Sequence, residues 1–365
     1  MSDYDYLNAR VRAMASRLLP RGLIEQIVSA EGEEIFVDLL MDSDYADSLS
    51  EALASSRERG AAETALKLNL FGRLQKLRTI APEGPRRLIE AQLGLWDLNN
   101  AIAIARGIRR RAPAAEIARA TVPAGTIHPT RLALLAEETD ERAMYDTLST
   151  WGAAIAAAFG EALGRAEGAA HPSDLERELL AGYFARTLDD LDPDDPDEGL
   201  LVGQLRLQID LANVVAALKC ADARSRGAAA ASASGASASA AAPAAPLPAP
   251  IPGGGFSSRA LERIALARDL LGALEHLDGT AFGAPVQRGL LYFVQSGRLG
   301  SIERFLEGVV LEAGAALSRR DRLSAGVPLG YVWRKIGEFL NLRAILRGKR
   351  YGMPAAAIRE TLVLA

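Results

Sequence analysis

The sequence predicts an all-α chain of three equivalent helical units, and three observations carry that reading. Period-two alternation of β-branched residues is almost absent, so strands are not expected. Apolar residues recur at spacings of three and four, as at Tyr4, Leu7, Val11, Met14 and Leu18, which lays a stripe along one helix face. The third observation is one helical pattern written three times.

That pattern is clearest in EFLNLRAILRGK, residues 338–349. Aligning Asn341 with Asn213 and Asn100 places an acid three residues earlier (Glu338, Asp210, Asp97) and an alanine three later (Ala344, Ala216, Ala103). A base follows six residues after each asparagine (Arg347, Lys219, Arg106). Asn213 lies 113 residues after Asn100 and Asn341 lies 128 after Asn213. This spacing marks a triplicated unit too long for a solenoid repeat. The boundaries read as 1–120, 121–226 and 258–365, with residues 227–257 as a separate linker.

Each position has a physical reading. The acid and the asparagine are one turn apart on the same helix face. The base lies on the opposite side, so it cannot pair with the acid inside one helix. A cation in the last turn opposes the helix dipole, and Gly107 and Gly348 suit the left-handed position beyond the last turn. Pro113 and Pro354, which open Pro-Ala-Ala-x-Ile in the first and third copies, suit the first position of the next helix. Asparagine competes for backbone groups and is a poor interior helix residue. Its recurrence is therefore expected to hydrogen-bond a neighbouring element, as a buried polar staple in preference to a ligand site.

In chain order, the first helix ends at Pro20. Short amphipathic pieces follow over 23–28 and 33–40, then a helix from about Tyr45. Leu66, Leu70, Leu74 and Leu77 mark the next, closed by Pro82-Glu-Gly-Pro85. The first signature helix spans about 86–106. The second unit begins near Pro123 and is expected to carry one long Ala-rich helix over 141–167, a helix from Ser173 to Asp189, and the second signature helix over 199–224. The acidic run 192–198 has two prolines and the wrong ligand spacing for a calcium loop, so it reads as a helix-capping loop. Residues 227–255 turn abruptly to Ala, Ser, Pro and Gly, a composition that buries too little apolar surface to order itself and predicts a disordered insert. Gly253-Gly-Gly255 reads as a hinge before an N-cap at Ser258. The third unit runs through helices over 261–277, 290–294 and 302–317 to the last signature helix.

Composition limits function. The formal net charge is −4, so no global basic field draws the chain to nucleic acid. The one cysteine, Cys220, excludes an internal disulfide and reads as a small buried filler. No signal peptide is visible, and the uncharged run 227–258 contains five prolines and lacks the apolar residues of a membrane span. His128, His171 and His276 are isolated, which leaves metal binding unsupported. Phosphate-loop, GxSxG and HExxH motifs are missing, and three carboxylates in three different units would not converge on one reacting centre. No catalytic residue, cofactor or metal ligand is therefore assigned. The basic clusters Arg106, Arg109, Arg110 and Arg111, then Arg343, Arg347, Lys349 and Arg350, with Arg224 and Arg226 between, suggest a positive face meeting an acidic partner or lipid headgroups.

The segments DYDYLNARVRAMASRLL, MDSDYADSL and IGEFLNLRAILRGKRYGMPAAAI strongly resemble the C subunit of V-type and A-type ATP synthases, the counterpart of the d subunit of vacuolar ATPases. The resemblance covers nearly all of the chain outside the insert. It implies an all-helical funnel of three pseudo-equivalent domains with pseudo-threefold symmetry. It further implies a non-catalytic rotor part at the cytoplasmic face of the cell membrane, joining central-shaft subunits to the membrane proteolipid ring without a transmembrane segment or cofactor. A free-standing cytosolic helical scaffold is the alternative function, and a small-molecule enzyme lacks a convergent catalytic set.

Overall fold

The computed structural model describes residues 3–55, 60–166, 173–233, 249–320 and 322–363. These form helices and connecting turns with no strand among the described residues. The chain divides into two compact units, one of Met1–Tyr183, Pro193–Leu201 and Gly314–Ala365, the other of Phe184–Asp192 and Val202–Ala313.

In the first unit, α1 (Asp3–Ala15) buries Leu7, Val11 and Met14 from the predicted stripe. Pro20 then caps α2 (Arg21–Ser29), followed by α3 (Gly32–Met41) and α4 (Ala46–Ser55). Helix α5 (Ala61–Ile80) buries Leu66, Leu70, Leu74 and Leu77, as their spacing requires. The first signature helix is α6 (Glu83–Arg109), and α7 (Ala114–Ala120) follows. After α8 (Pro129–Leu135), the Ala-rich stretch expected as one helix is instead two, α9 (Glu141–Thr150) and α10 (Ala156–Ala166). Gly152 adopts φ 63° between them, a left-handed turn that a helix cannot continue through.

Helix α11 (Ser173–Asp189) ends before the acidic loop, whose Asp195 carboxylate accepts from the amides of Asp197 and Glu198 and so caps α12 (Pro196–Ala233). That second signature helix is apolar enough over Pro196–Gly227 to cross a membrane by length and composition. Its Val214, Leu218 and Ala221 are nonetheless core residues of the second unit, packed with Leu261 and Ile264 of α13 (Ser258–Ala265) and Leu274 of α14 (Leu270–Glu275). Two short helices replace the single one expected over 261–277, because the Asp269 carboxylate accepts from the Gly272 amide and starts a new helix. Helix α15 (Gly283–Ser296) and α16 (Gly300–Arg320) supply Val286, Ile302 and Leu306 to the same core.

The last signature helix, α17 (Gly326–Arg350), packs against α1, α3, α5 and α6, and α18 (Ala355–Arg359) closes the described chain. Every residue from Gly326 to Trp333 is buried. Gly314 lies so close to Trp333 that a Cβ there would sit 2.2 Å from the indole, and Trp96 of α6 meets that indole edge-on. A helix buried on all sides carries no amphipathic signal, which is why only its terminal half stood out in the sequence.

The expected linker is narrower than 227–257. Residues 227–233 continue α12, and Ile251 and Gly255 are tied back to that helix by hydrogen bonds to Asn213 and Asp210. Residues 234–248, the centre of the expected insert, lie outside the described residues.

Candidate functional site

The repeated acid and asparagine form the same clamp on each signature helix. On α6, Asn100 Nδ2 donates to the Val122 carbonyl at 2.8 Å while the Val122 amide donates to Asn100 Oδ1 at 2.8 Å. On α12, Asn213 treats Ile251 identically, at 2.9 and 2.8 Å. On α17, Asn341 Oδ1 accepts from the Val363 amide at 2.8 Å. One side-chain amide thus satisfies both backbone groups of a buried residue in the first two copies, which a helix interior otherwise offers no partner for. The clamped residue lies 22 positions on in the first and third copies and 38 in the second, so the insert lengthens that connection by sixteen residues.

The acid holds the next piece of the same segment. Asp97 accepts from the Thr126 amide and hydroxyl, both at 2.7 Å, and from the Ile127 amide at 3.0 Å. Asp210 accepts from Gly255 at 2.7 Å and Phe256 at 3.1 Å. Burial pushes both carboxyls up from their ordinary values, and the donated hydrogen bonds oppose that shift. Each acid presses on a glycine: a Cβ would stand 1.9 Å from Asp97 Oδ1 at Gly125 and 2.4 Å from Asp210 Oδ1 at Gly254. The glycine run before α13 is therefore a packed turn, where a hinge was expected, and the N-cap is Ser257, accepting from Ala260, one residue before the expected Ser258.

At the third acid the segment comes from the other end of the chain. Glu338 Oε2 accepts from the Leu19 amide at 2.6 Å, immediately before Pro20 opens α2. Its Oε1 accepts from the Tyr45 hydroxyl at 2.8 Å and from Lys335 Nζ at 2.7 Å, with Lys335 1% exposed. Lys335 also lies 4.3 Å from the Tyr45 ring centre, and burial beside Glu338 pushes the Tyr45 hydroxyl well up. Tyr45 and Lys335 have no counterpart in the repeated pattern, so sequence alignment of the copies could not find them.

Arg106 and Arg347 stand in the last turn of their helices as expected, Lys219 lies inside α12, and all three bases also pair across sequence. Arg106 meets Glu176 near the start of α11, Lys219 meets Glu303 near the start of α16 at 3.3 Å, and Arg347 meets Glu63 near the start of α5 at 2.6 Å. The signal available was a glutamate in the opening turn of the partner helix, though α3, α6 and α9 carry one there too. Gly107 and Gly348 also differ from expectation: both lie inside their helices, and a Cβ on either would be 2.5 or 2.7 Å from Ile117 or Ile358 of the following Pro-Ala-Ala-x-Ile. The left-handed positions are Arg111 (φ 53°) and Gly352 (φ 65°), and Pro113 and Pro354 are caps outside the first helical position.

Most of the expected basic face is used internally. Arg109 pairs with Glu141, Arg350 with Glu33 at 2.6 Å, and Lys349 donates to the Val28 and Ala30 carbonyls. Arg343 lies over Phe339, and burial holds its guanidinium down to about 10. Arg110 and Arg111 are exposed. His128 caps α8 by accepting from Thr130, His276 ends α14, and His171 lies outside the described residues. Cys220 is half-buried against the second unit's core. Among the described residues no three His, Cys, Asp or Glu side chains group to hold a metal ion.

The shared geometry is that of a helical protein with an internally repeated signature helix, whose conspicuous charged residues bind backbone and one another. The chain belongs to the ATP synthase (C/AC39) subunit family, which it matches over residues 7–361. It is 28% identical to the C subunit of the A-type ATP synthase of Thermococcus onnurineus and 26% identical to that of Pyrococcus abyssi, each alignment covering 98% of this chain and 90% of the relative. It is also 31% identical to the C subunit of the V-type ATP synthase of Deinococcus radiodurans across 50% of this chain and 52% of that protein.

Proposed function

We infer that this chain is a non-catalytic rotor subunit of a V/A-type rotary ATPase or ATP synthase. In this reading it sits at the cytoplasmic face of the cell membrane, peripheral to it, with central-shaft subunits on one side and the proteolipid ring on the other. It turns with both and carries torque between ATP chemistry and proton or sodium flow. Family membership supports the complex, and the recurrent clamp supports the mechanical role.

The observation that carries the mechanism is the direction of the base–glutamate pairs. Taking the units as 1–120, 121–226 and 258–365, Arg106 of the first meets Glu176 of the second, and Lys219 of the second meets Glu303 of the third. Arg347 of the third meets Glu63 of the first. Such a succession suits a pseudo-threefold funnel offering like contacts around a shaft, and acids already bonded to backbone stiffen it for torque.

The test is affinity purification of the tagged chain from native membranes solubilised in mild detergent, with mass spectrometry and an ATPase assay. The expected result is one particle containing nucleotide-binding subunits, shaft subunits and proteolipid. Recovery of the chain alone from the soluble fraction, in cells whose ATPase particle is intact without it, would overturn this reading in favour of a cytosolic scaffold.

A further inference from the structure

Besides Arg110 and Arg111 at the end of α6, a group of cations around α1 meets no acid among the described residues. A cavity of about 450 Å³ is lined by Arg12, Arg322 and Arg334 together with Ser318 and Tyr331. Among the described residues none of the three arginines forms an ion pair, in contrast to Arg106, Arg109, Arg347 and Arg350, each of which meets a glutamate. Arg12 is held in place by donating to the Arg322 carbonyl. Tyr331 is 2% exposed and burial pushes its hydroxyl up, so it stays a proton donor throughout the working pH range.

A second cavity of about 230 Å³ shares the Tyr331 wall and adds Arg10, Arg17, Arg73 and Lys76. Its one carboxylate, Asp44, is neutralised by Arg73 at 2.6 Å. Concave low-dielectric walls of one sign concentrate field lines and raise the local concentration of the opposite ion.

The geometry points to the Arg12–Arg322–Arg334 cavity as a binding site for a group bearing several phosphate charges. Arginine presents a planar fork of donors that matches phosphate oxygens, and three of them with the Tyr331 hydroxyl supply donors to more than one phosphate at once, while the Ser318 hydroxyl donates to the Ala315 carbonyl. The second cavity contributes field more than contacts. A phospholipid headgroup and a free oligophosphate share this chemistry. The assignment does not depend on the rotor reading.

The test is calorimetric titration of the purified full chain with sodium tripolyphosphate. One-to-one binding is expected, weakened by about tenfold or more in R334Q, whose exposed side chain can be changed without disturbing the core, and lost in R12Q/R322Q/R334Q. R110Q/R111Q, which removes exposed cations elsewhere, should bind as the unaltered chain does. Vesicles of phosphatidylcholine containing phosphatidylinositol bisphosphate separate the sources: capture reversed by tripolyphosphate assigns a headgroup, and tripolyphosphate binding without vesicle capture assigns a free phosphate. The proposal is overturned if tripolyphosphate fails to bind, if R334Q binds undiminished, if R110Q/R111Q loses as much, or if an octaglutamate peptide binds as tightly.

Discussion

The backbone amide of Leu19 donates to Glu338 at 2.6 Å, linking residues 319 positions apart. At this third acid the first loop of the chain stands where residues 126–127 stand at Asp97 and residues 255–256 at Asp210. The three bonds are alike in kind, an acid on a signature helix receiving amides just before another helix begins.

The acid–glycine contact makes Gly125 intolerant of any side chain. G125A should lower stability by about 1–3 kcal/mol through overpacking against Asp97, and G254A should act similarly against Asp210. Gly72, inside α5 with nothing within 4 Å of a built Cβ, is the control: G72A should stabilise by about 0.5–1 kcal/mol. Urea denaturation midpoints of the three variants decide this, and equal midpoints for G125A and G72A would remove the steric account.

Removing one member of the buried Lys335–Glu338 pair should be worse than removing both. K335M leaves a carboxylate 5% exposed without its cation, for a loss of about 3–5 kcal/mol. The double variant K335M/E338Q should recover part of that loss, and a thermal-melt double-mutant cycle showing simple additivity would contradict the coupling.

The three base–glutamate pairs should differ in strength according to exposure. Glu63 is 8% exposed, and R347M removes its nearer cation, leaving Arg350 at 3.6 Å, at a cost of about 1.5–3 kcal/mol. Lys219 is 55% exposed and its partner Glu303 23%, so K219M should cost less than about 1 kcal/mol. Raising the salt concentration should shrink the smaller effect more than the larger, as measured by denaturation at two ionic strengths.

Lys67 of α5 donates to the Ala118 carbonyl at 2.8 Å, and burial holds its ammonium down to about 8. Its folded value lies below the ordinary 10.5, so between those two pH values the unfolded chain holds the extra proton. Stability from this group is therefore gained as pH rises through that window and lost as pH falls through about 8. Denaturation of the unaltered chain and K67Q at pH 8 and pH 10 should show the unaltered chain gaining relative to the variant. A constant difference would show that Lys67 is not desolvated.

Sequence alone determined the helical class, the stripe of Leu7, Val11 and Met14, and the register of Asp97, Asn100 and Arg106 with their two later counterparts, because these are properties of neighbours along one helix. It also marked each asparagine as a staple, since the cost of its amide in a helix is local. Tertiary structure alone decided what each group holds. Val122 and Ile251 share a Val/Ile-Pro-x-Gly pattern that could have been read, yet the insert shifts one copy by sixteen residues and hides the match. Gly107 resembled a helix end because glycine serves both turns and close approaches, and only the position of Ile117 separates the two. Leu19, Tyr45 and Glu63 find Glu338 and Arg347 through chain closure over hundreds of residues, a constraint that no local spacing encodes.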